Sequence, residues 1–163
     1  MSGSEPVKQI VTVALHTGMR RGEIFSLKWF DVDSVRRLLQ IRESKSGKKR
    51  LVPMNITVKT LLSELKRKSE YVFPSPKTGG RLDNIKRSFR RAVAAAGIED
   101  FRFHDLRHTA ATRMADAGAD AFTLMKIPGH SDIRMTARYT HATDACGGRW
   151  QIWMQILILV MYW

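Results

Sequence analysis

Between residues 38 and 54 the chain abandons helical periodicity, so any fold for it must seat one strand pair among helices. Leu38 to Glu43 and Arg50 to Met54 read as strands, and Ser44-Lys45-Ser46-Gly47-Lys48 between them has turn composition. The pair predicts an antiparallel β-hairpin. The flanking segments repeat at helical spacing. Val7, Ile10, Val11, Ala14 and Leu15 set a helix over 7–16. Thr17-Gly18 interrupts it, and a second helix is expected from Met19 or Arg20 to Lys28 with Ile24 and Leu27 inward. Trp29 to Asp33 reads as a short strand and turn. Val58, Leu61, Leu62 and Leu65 mark a helix ending near Lys68, and Tyr71-Val72-Phe73 is a short extended piece before a Pro/Gly loop over 74–81. Leu82 to Ala96 is a helix with Ile85, Phe89 and Val93 on one side and Lys86, Arg87, Arg90 and Arg91 on the other, ended by Gly97. His104 to Ala117 is the next, closed by Gly118, and Asp120 to Ile127 and Asp132 to Tyr139 are two shorter helices split by Pro128-Gly129. The fold class expected is mainly α with a small antiparallel β-sheet (α+β).

At 163 residues and 44% apolar content the chain has the material for one domain with a real core. A disordered tail would be poorer in apolar residues. The single cysteine, Cys146, excludes an internal disulfide framework and a multi-cysteine zinc finger, and a reducing compartment is the natural reading. Met1 to Pro6 has neither the basic nor the apolar region of a signal peptide. Ile152 to Trp163 is nearly all apolar but shorter than the roughly 20 residues that span a bilayer. It reads as a segment docking on a core, with a membrane anchor as the minor reading and, from its abrupt change of composition, a tail not native to the domain as a third. The organisation expected is a domain over 1–145 and an atypical apolar tail over 146–163.

The 28 Lys and Arg against 15 Asp and Glu leave a net charge of +13, which points to a polyanionic partner. Basic clusters fall at Arg20-Arg21, Arg36-Arg37, Lys45 with Lys48 to Arg50, Lys66 to Lys68, and Lys86 to Arg91. Such a spread suits a folded surface tracking a phosphate backbone. The chain has no repeated aromatic–basic motif of the single-strand type, so duplex DNA is the better match.

Four segments carry chemistry. In Thr17-Gly18-Met19-Arg20-Arg21-Gly22-Glu23, the glycine break starts a helix, so Arg20 sits where backbone N–H groups favour an anion. Glu23, one turn on, can orient it. Lys45 on the hairpin turn can reach a neighbouring groove and donate a proton to a leaving oxygen. In His104-Asp105-Leu106-Arg107-His108, His104 can share a proton near neutral pH and Arg107 can clamp phosphate. The same stretch admits a two-histidine zinc reading through His104 and His108, but the second position holds Asp105 where that motif wants glutamate. Asp105 is better placed to support the helix start. The fourth segment is Pro128-Gly129-His130-Ser131, with Tyr139-Thr140-His141 following. Taken singly, each is an ordinary surface or core feature.

In this order, however, the segments resemble the catalytic domain of the tyrosine recombinases, the phage integrase family. The pattern of an arginine after a Thr-Gly turn, a hairpin lysine, His-x-x-Arg, Gly-His and a tyrosine soon after falls on Arg20, Lys45, His104 with Arg107, His130 and Tyr139. Flanking text matches too: Arg21-Gly22-Glu23 leading to Leu27, Asp31-Val32-Asp33, and Arg50-Leu51-Val52-Pro53. The resemblance covers residues 7 to about 144. It implies that Tyr139 attacks a scissile phosphate in duplex DNA and forms a 3′-phosphotyrosine, releasing a 5′-hydroxyl. Arg20 and Arg107 would hold the nonbridging oxygens, Lys45 would protonate the leaving oxygen, and His104 would take the tyrosine proton. Alternatively His104 would share that proton with the phosphate. His130 would hydrogen-bond a nonbridging oxygen and Glu23 would fix Arg20. Lys48, Lys49, Lys86, Arg87, Arg90 and Arg91 would contact the DNA backbone. No cofactor and no metal is implied. Further protomers assembling on DNA, and a cytoplasmic, bacterial or phage-encoded setting, are implied.

The chain departs from the pattern at Pro128, where the family usually has leucine before Gly-His. Only a short helix precedes Arg20, so the separate N-terminal helical domain of family members is expected to be absent from it. Rival readings are a DNA-binding fragment without turnover, a type IB topoisomerase-like nicking and relaxing activity, and, far behind, a zinc hydrolase.

Overall fold

The computed structural model describes residues 5–42 and 49–127. Helix α1 (Glu5–Thr17) supplies the centre of the core. Its Val7, Ile10, Val11, Ala14 and Leu15 are all buried, as their helical spacing predicts. Thr17 and Gly18 end it: Gly18 takes φ +65°, a left-handed conformation that costs glycine little. The Gly18 N–H closes on the Ala14 carbonyl at 2.9 Å.

The chain then makes α2 (Arg21–Phe25), shorter than the helix predicted to reach Lys28. A long-range pairing ends it. The Val72 N–H donates to the Leu27 carbonyl and the Trp29 N–H to the Glu70 carbonyl, both at 2.9 Å. Residues 27–29 are thereby drawn out against the extended piece around Tyr71. Of the short strand and turn expected over Trp29 to Asp33, Trp29–Asp31 is one turn of 3-10 helix and only Val32–Asp33 is strand.

The sheet has three antiparallel strands in the order β1 (Val32–Asp33), β2 (Leu38–Ile41) and β3 (Arg50–Pro53). The predicted hairpin is therefore present in its strands, while its turn, with Lys45 and Lys48, lies outside the described residues. Leu39 pairs with Val52 and Ile41 with Arg50. Directly paired residues share a face, so Leu39, Ile41, Val52 and Arg50 all look toward the core.

Helix α3 (Ile56–Glu64) is capped by Asn55, whose side chain accepts from the Val58 N–H at 3.0 Å. It stops before Lys68 because Leu65 turns extended. Helix α4 (Lys86–Ala95) begins four residues later than predicted. Leu82 and Ile85 are buried as expected, but Asn84 caps the Lys86 N–H at 2.7 Å and fixes the start there. Helices α5 (Asp105–Asp116) and α6 (Ala121–Lys126) follow the predicted segments closely, with Gly118 at φ +86° between them. Phe101 and Phe103 lie 6.4 and 5.4 Å from Phe89, centroid to centroid, and tie the approach to α5 onto α4. The predicted helix over Asp132 to Tyr139 and the apolar tail lie outside the described residues. No helix among the described residues is long and apolar enough to cross a membrane.

The burial of Leu39 on the central strand gives a test of this core. Leu39→Ala should lower unfolding stability by about 2–5 kcal/mol, as truncation of a fully buried leucine does. Val35→Asp, in the exposed β1–β2 turn, should change it by less than about 0.5 kcal/mol. Urea titration of both variants checks this, and similar losses would contradict the placement of Leu39.

Candidate active site

The Thr17-Gly18 turn positions two arginines at once. Arg20 follows it by two residues and occupies the N-cap position of α2, in extended conformation. Arg107 comes to the same turn from α5. Its side chain is almost wholly buried, the residue being 4% exposed, and Nη1 donates to the Gly18 carbonyl at 3.0 Å. The packing of α5 against α1 delivers it there, with Leu106 and Ala110 buried on the same side.

Glu23 then organises the site. Its side chain is 3% exposed and accepts four hydrogen bonds. Oε2 takes the Arg20 backbone N–H at 2.8 Å and Oε1 takes Arg20 Nη1 at 3.1 Å. The first of these satisfies an N–H that a helix start leaves unpaired. Arg50 supplies the other two as a parallel fork, Nη1 to Oε1 at 2.7 Å and Nη2 to Oε2 at 2.8 Å. Burial pushes the Glu23 carboxyl up, but the bonds and charge of Arg50 and of Arg20 outweigh it and hold the group below the ordinary carboxylate range. The predicted Arg20–Glu23 pairing is thus present, and Arg50 joins it.

His104 forms the N-cap of α5 and is exposed, one turn before Arg107. Its ring meets that of His108 edge to face, 4.9 Å between centroids. Asp105 supports the helix start as predicted, Oδ2 accepting the Arg102 N–H at 2.7 Å. Lys49 is exposed beside β3, and Lys86, Arg87, Arg90 and Arg91 are all exposed on α4 while Phe89, Ala92 and Val93 are buried. The basic face predicted for this helix is therefore solvent-facing. Lys45, Lys48, His130 and Tyr139 lie outside the described residues.

Two contributors were not singled out from the sequence. Arg50 figured in a basic cluster, a strand and the flanking match but was given no role at the site, and its partner Glu23 lies 27 residues away. Arg42, after β2, binds the buried Asp31 through Nε. Both strands of the hairpin are thus fastened by an arginine to a buried carboxylate from the segment 20–33. The available signal was strand alternation, which places Arg50 on the side of Val52.

The model of the phage integrase family matches residues 2–145. The integrase of Salmonella phage P22 is 35% identical over 152 residues, covering 84% of this chain and 39% of that protein. The crystal structure of XerA recombinase superposes with a TM-score of 0.70 at 28% identity, over 93% of this chain and 63% of that one. A lambda integrase dimer bound to a COC′ core site gives 0.66 at 27%, over 80% and 41%. The chain spans less than half the length of the curated relatives it matches.

The lowered Glu23 carboxyl predicts a pH-dependent stability. A group held below its unfolded value stabilises the fold above the unfolded range, and that contribution is lost as pH falls through the folded value. Glu23→Gln should therefore cost about 3–5 kcal/mol at neutral pH, the loss seen when one partner of a buried pair is removed. The gap to wild type should close in acid, as wild type itself protonates. Denaturant titrations from neutral to acid pH check this, and a gap independent of pH would refute it.

Proposed function

Since the chain belongs to the phage integrase family, we propose that it is the catalytic domain of a site-specific recombinase that cleaves and rejoins duplex DNA through a tyrosyl intermediate. The observation that carries the reading is the single turn, Thr17-Gly18, that seats Arg107 and launches Arg20, with Glu23 holding Arg20 from below. Two arginines 87 residues apart in the sequence are thus anchored at one turn, Arg107 on the Gly18 carbonyl and Arg20 two residues beyond it, and a pair of guanidinium groups is suited to a phosphodiester.

In this reading the Tyr139 oxygen forms a bond to phosphorus as the bond to the 5′ oxygen breaks. The tyrosine proton passes to His104, and Lys45 gives a proton to the departing 5′ oxygen. Tyrosine ordinarily ionises near pH 10, about three units above neutrality, so its deprotonation needs this assistance. Arg20 and Arg107 offset the negative charge that grows on the nonbridging oxygens, with His130 adding a hydrogen bond. The covalent linkage conserves the phosphodiester's energy, and a 5′-hydroxyl attacking it reverses the step. The exposed basic face of α4 and Lys49 take the DNA backbone, and the lambda integrase dimer on its core site supports both duplex binding and assembly of further protomers there.

A pool of nicked duplexes of randomised sequence tests the chemistry without knowledge of the target. DNA that stays with the protein through detergent denaturation is counted for wild type and for Tyr139→Phe. Adduct with wild type alone is the expected result, and no excess over Tyr139→Phe would refute the reading. The backbone contacts are tested separately. Arg87→Ala with Arg90→Ala should weaken binding alike on all sequences and flatten the plot of log affinity against log salt by about 2, roughly one for each phosphate no longer neutralised. An unchanged slope would remove α4 from the interface.

A further inference from the structure

Arg50 reaches three separate pieces of the molecule. It stands at the start of β3 with its side chain on the core face, 10% exposed. Two of its nitrogens fork onto Glu23 in α2, and Nε donates to the Ile127 carbonyl just past α6 at 3.2 Å. All three guanidinium nitrogens therefore point into the protein. The resemblance to the recombinases assigns this residue no part.

Its effect on Arg20 follows from the geometry of the shared carboxylate. Arg50 holds the two-pronged seat, so Arg20 meets Glu23 with its backbone N–H and Nη1. If Arg50 were missing, both carboxylate oxygens would be open to a fork from Arg20, and that guanidinium would turn inward onto them. The charge balance changes in the same direction. Arg20, Glu23 and Arg50 together carry +1, whereas Arg20 and Glu23 alone carry zero. A neutral pair offers an anionic phosphate much less than a cationic trio does.

We infer that Arg50 is a positioning residue for the cleavage reaction: by satisfying Glu23 it keeps the Arg20 guanidinium turned toward, and its charge available to, the scissile phosphate. This rests on the recombinase reading above and deepens it. Arg50 itself does not touch the substrate.

The test uses a nicked duplex of a sequence captured by wild type, prepared as the ordinary phosphodiester and as a methylphosphonate at the scissile position. The methyl group removes the negative charge that Arg20 would answer. Single-turnover adduct formation is measured on both substrates for wild type, Arg50→Met and Arg50→Lys. The two rates are taken as a ratio within each protein, so any misfolded fraction cancels. On the phosphodiester, Arg50→Met is expected to be slower than wild type by about 10- to 100-fold, the scale of losing an aligned charged group. On the methylphosphonate the two should agree within about threefold, because the interaction that Arg50 protects no longer contributes. Arg50→Lys, which restores the charge without the fork, should fall between them on the phosphodiester. An equal deficit on both substrates would assign Arg50 a purely structural role and overturn the inference. If Arg50→Met does not fold, Arg50→Lys is judged by the same ratio, and a ratio equal to that of wild type overturns it. Wild type without adduct on the phosphodiester would instead sink the recombinase reading, and this inference with it.

Discussion

A buried carboxylate with four hydrogen bonds is the interaction on which the arrangement of this site depends. Glu23 alone, on its short helix, would be costly to bury, since removing a charge from water costs several kcal/mol after relaxation. Its burial is tolerated because Arg20 and Arg50 neutralise it and fill its lone pairs. That satisfaction fixes more than one side chain. It sets the start of α2, the inward face of β3 and, through Ile127, the end of α6. Three segments far apart in sequence are thereby held in a common frame, and Gly18 adds a fourth through Arg107.

Most elements of the fold were legible in the sequence because their signals are local. The apolar spacing of residues 7–15, the glycines at 97 and 118, and the strand-turn-strand composition of 38–54 each depend on near neighbours. The main error has a long-range origin. Helix α2 stops short of Lys28 because Leu27 and Trp29 pair with Val72 and Glu70, more than forty residues away in the chain. No local propensity of Leu27-Lys28-Trp29 announces that pairing. The late start of α4 has a local origin instead, the Asn84 cap outweighing the apolar periodicity that Leu82 and Ile85 extend backwards.

The site was legible to a different depth. The Arg20–Glu23 pair follows from helical spacing, and the support given by Asp105 follows from its place at a helix start. Arg50 did not follow. In Arg50-Leu51-Val52-Pro53-Met54, both alternating faces carry apolar residues, so alternation alone cannot say which side is buried. The register decides it. Pairing with Leu39 and Ile41 puts Val52 and Arg50 inward and leaves Leu51 exposed. A charged residue on the inner face is then intelligible only with a buried partner, and that partner lies on another element.

The choice of cation on each side of the molecule follows from the same physics. A chain with net charge +13 repels itself, most severely where cations converge. Arg20, Arg50 and Arg107 do converge, within or beside the core. A guanidinium is more weakly hydrated than an ammonium and presents a planar fork, so it can be buried at lower cost and can bond several acceptors at once. Their acceptors include one carboxylate and the carbonyls of Gly18 and Ile127. On the outer face of α4, where water can screen the charge, Lys86, Arg87, Arg90 and Arg91 are all exposed. Arg50 and Arg107 commit bonds to the protein and so fix the frame around Arg20, while the cations of α4 face solvent. This division lets one strongly basic chain both fold compactly and present a cationic surface.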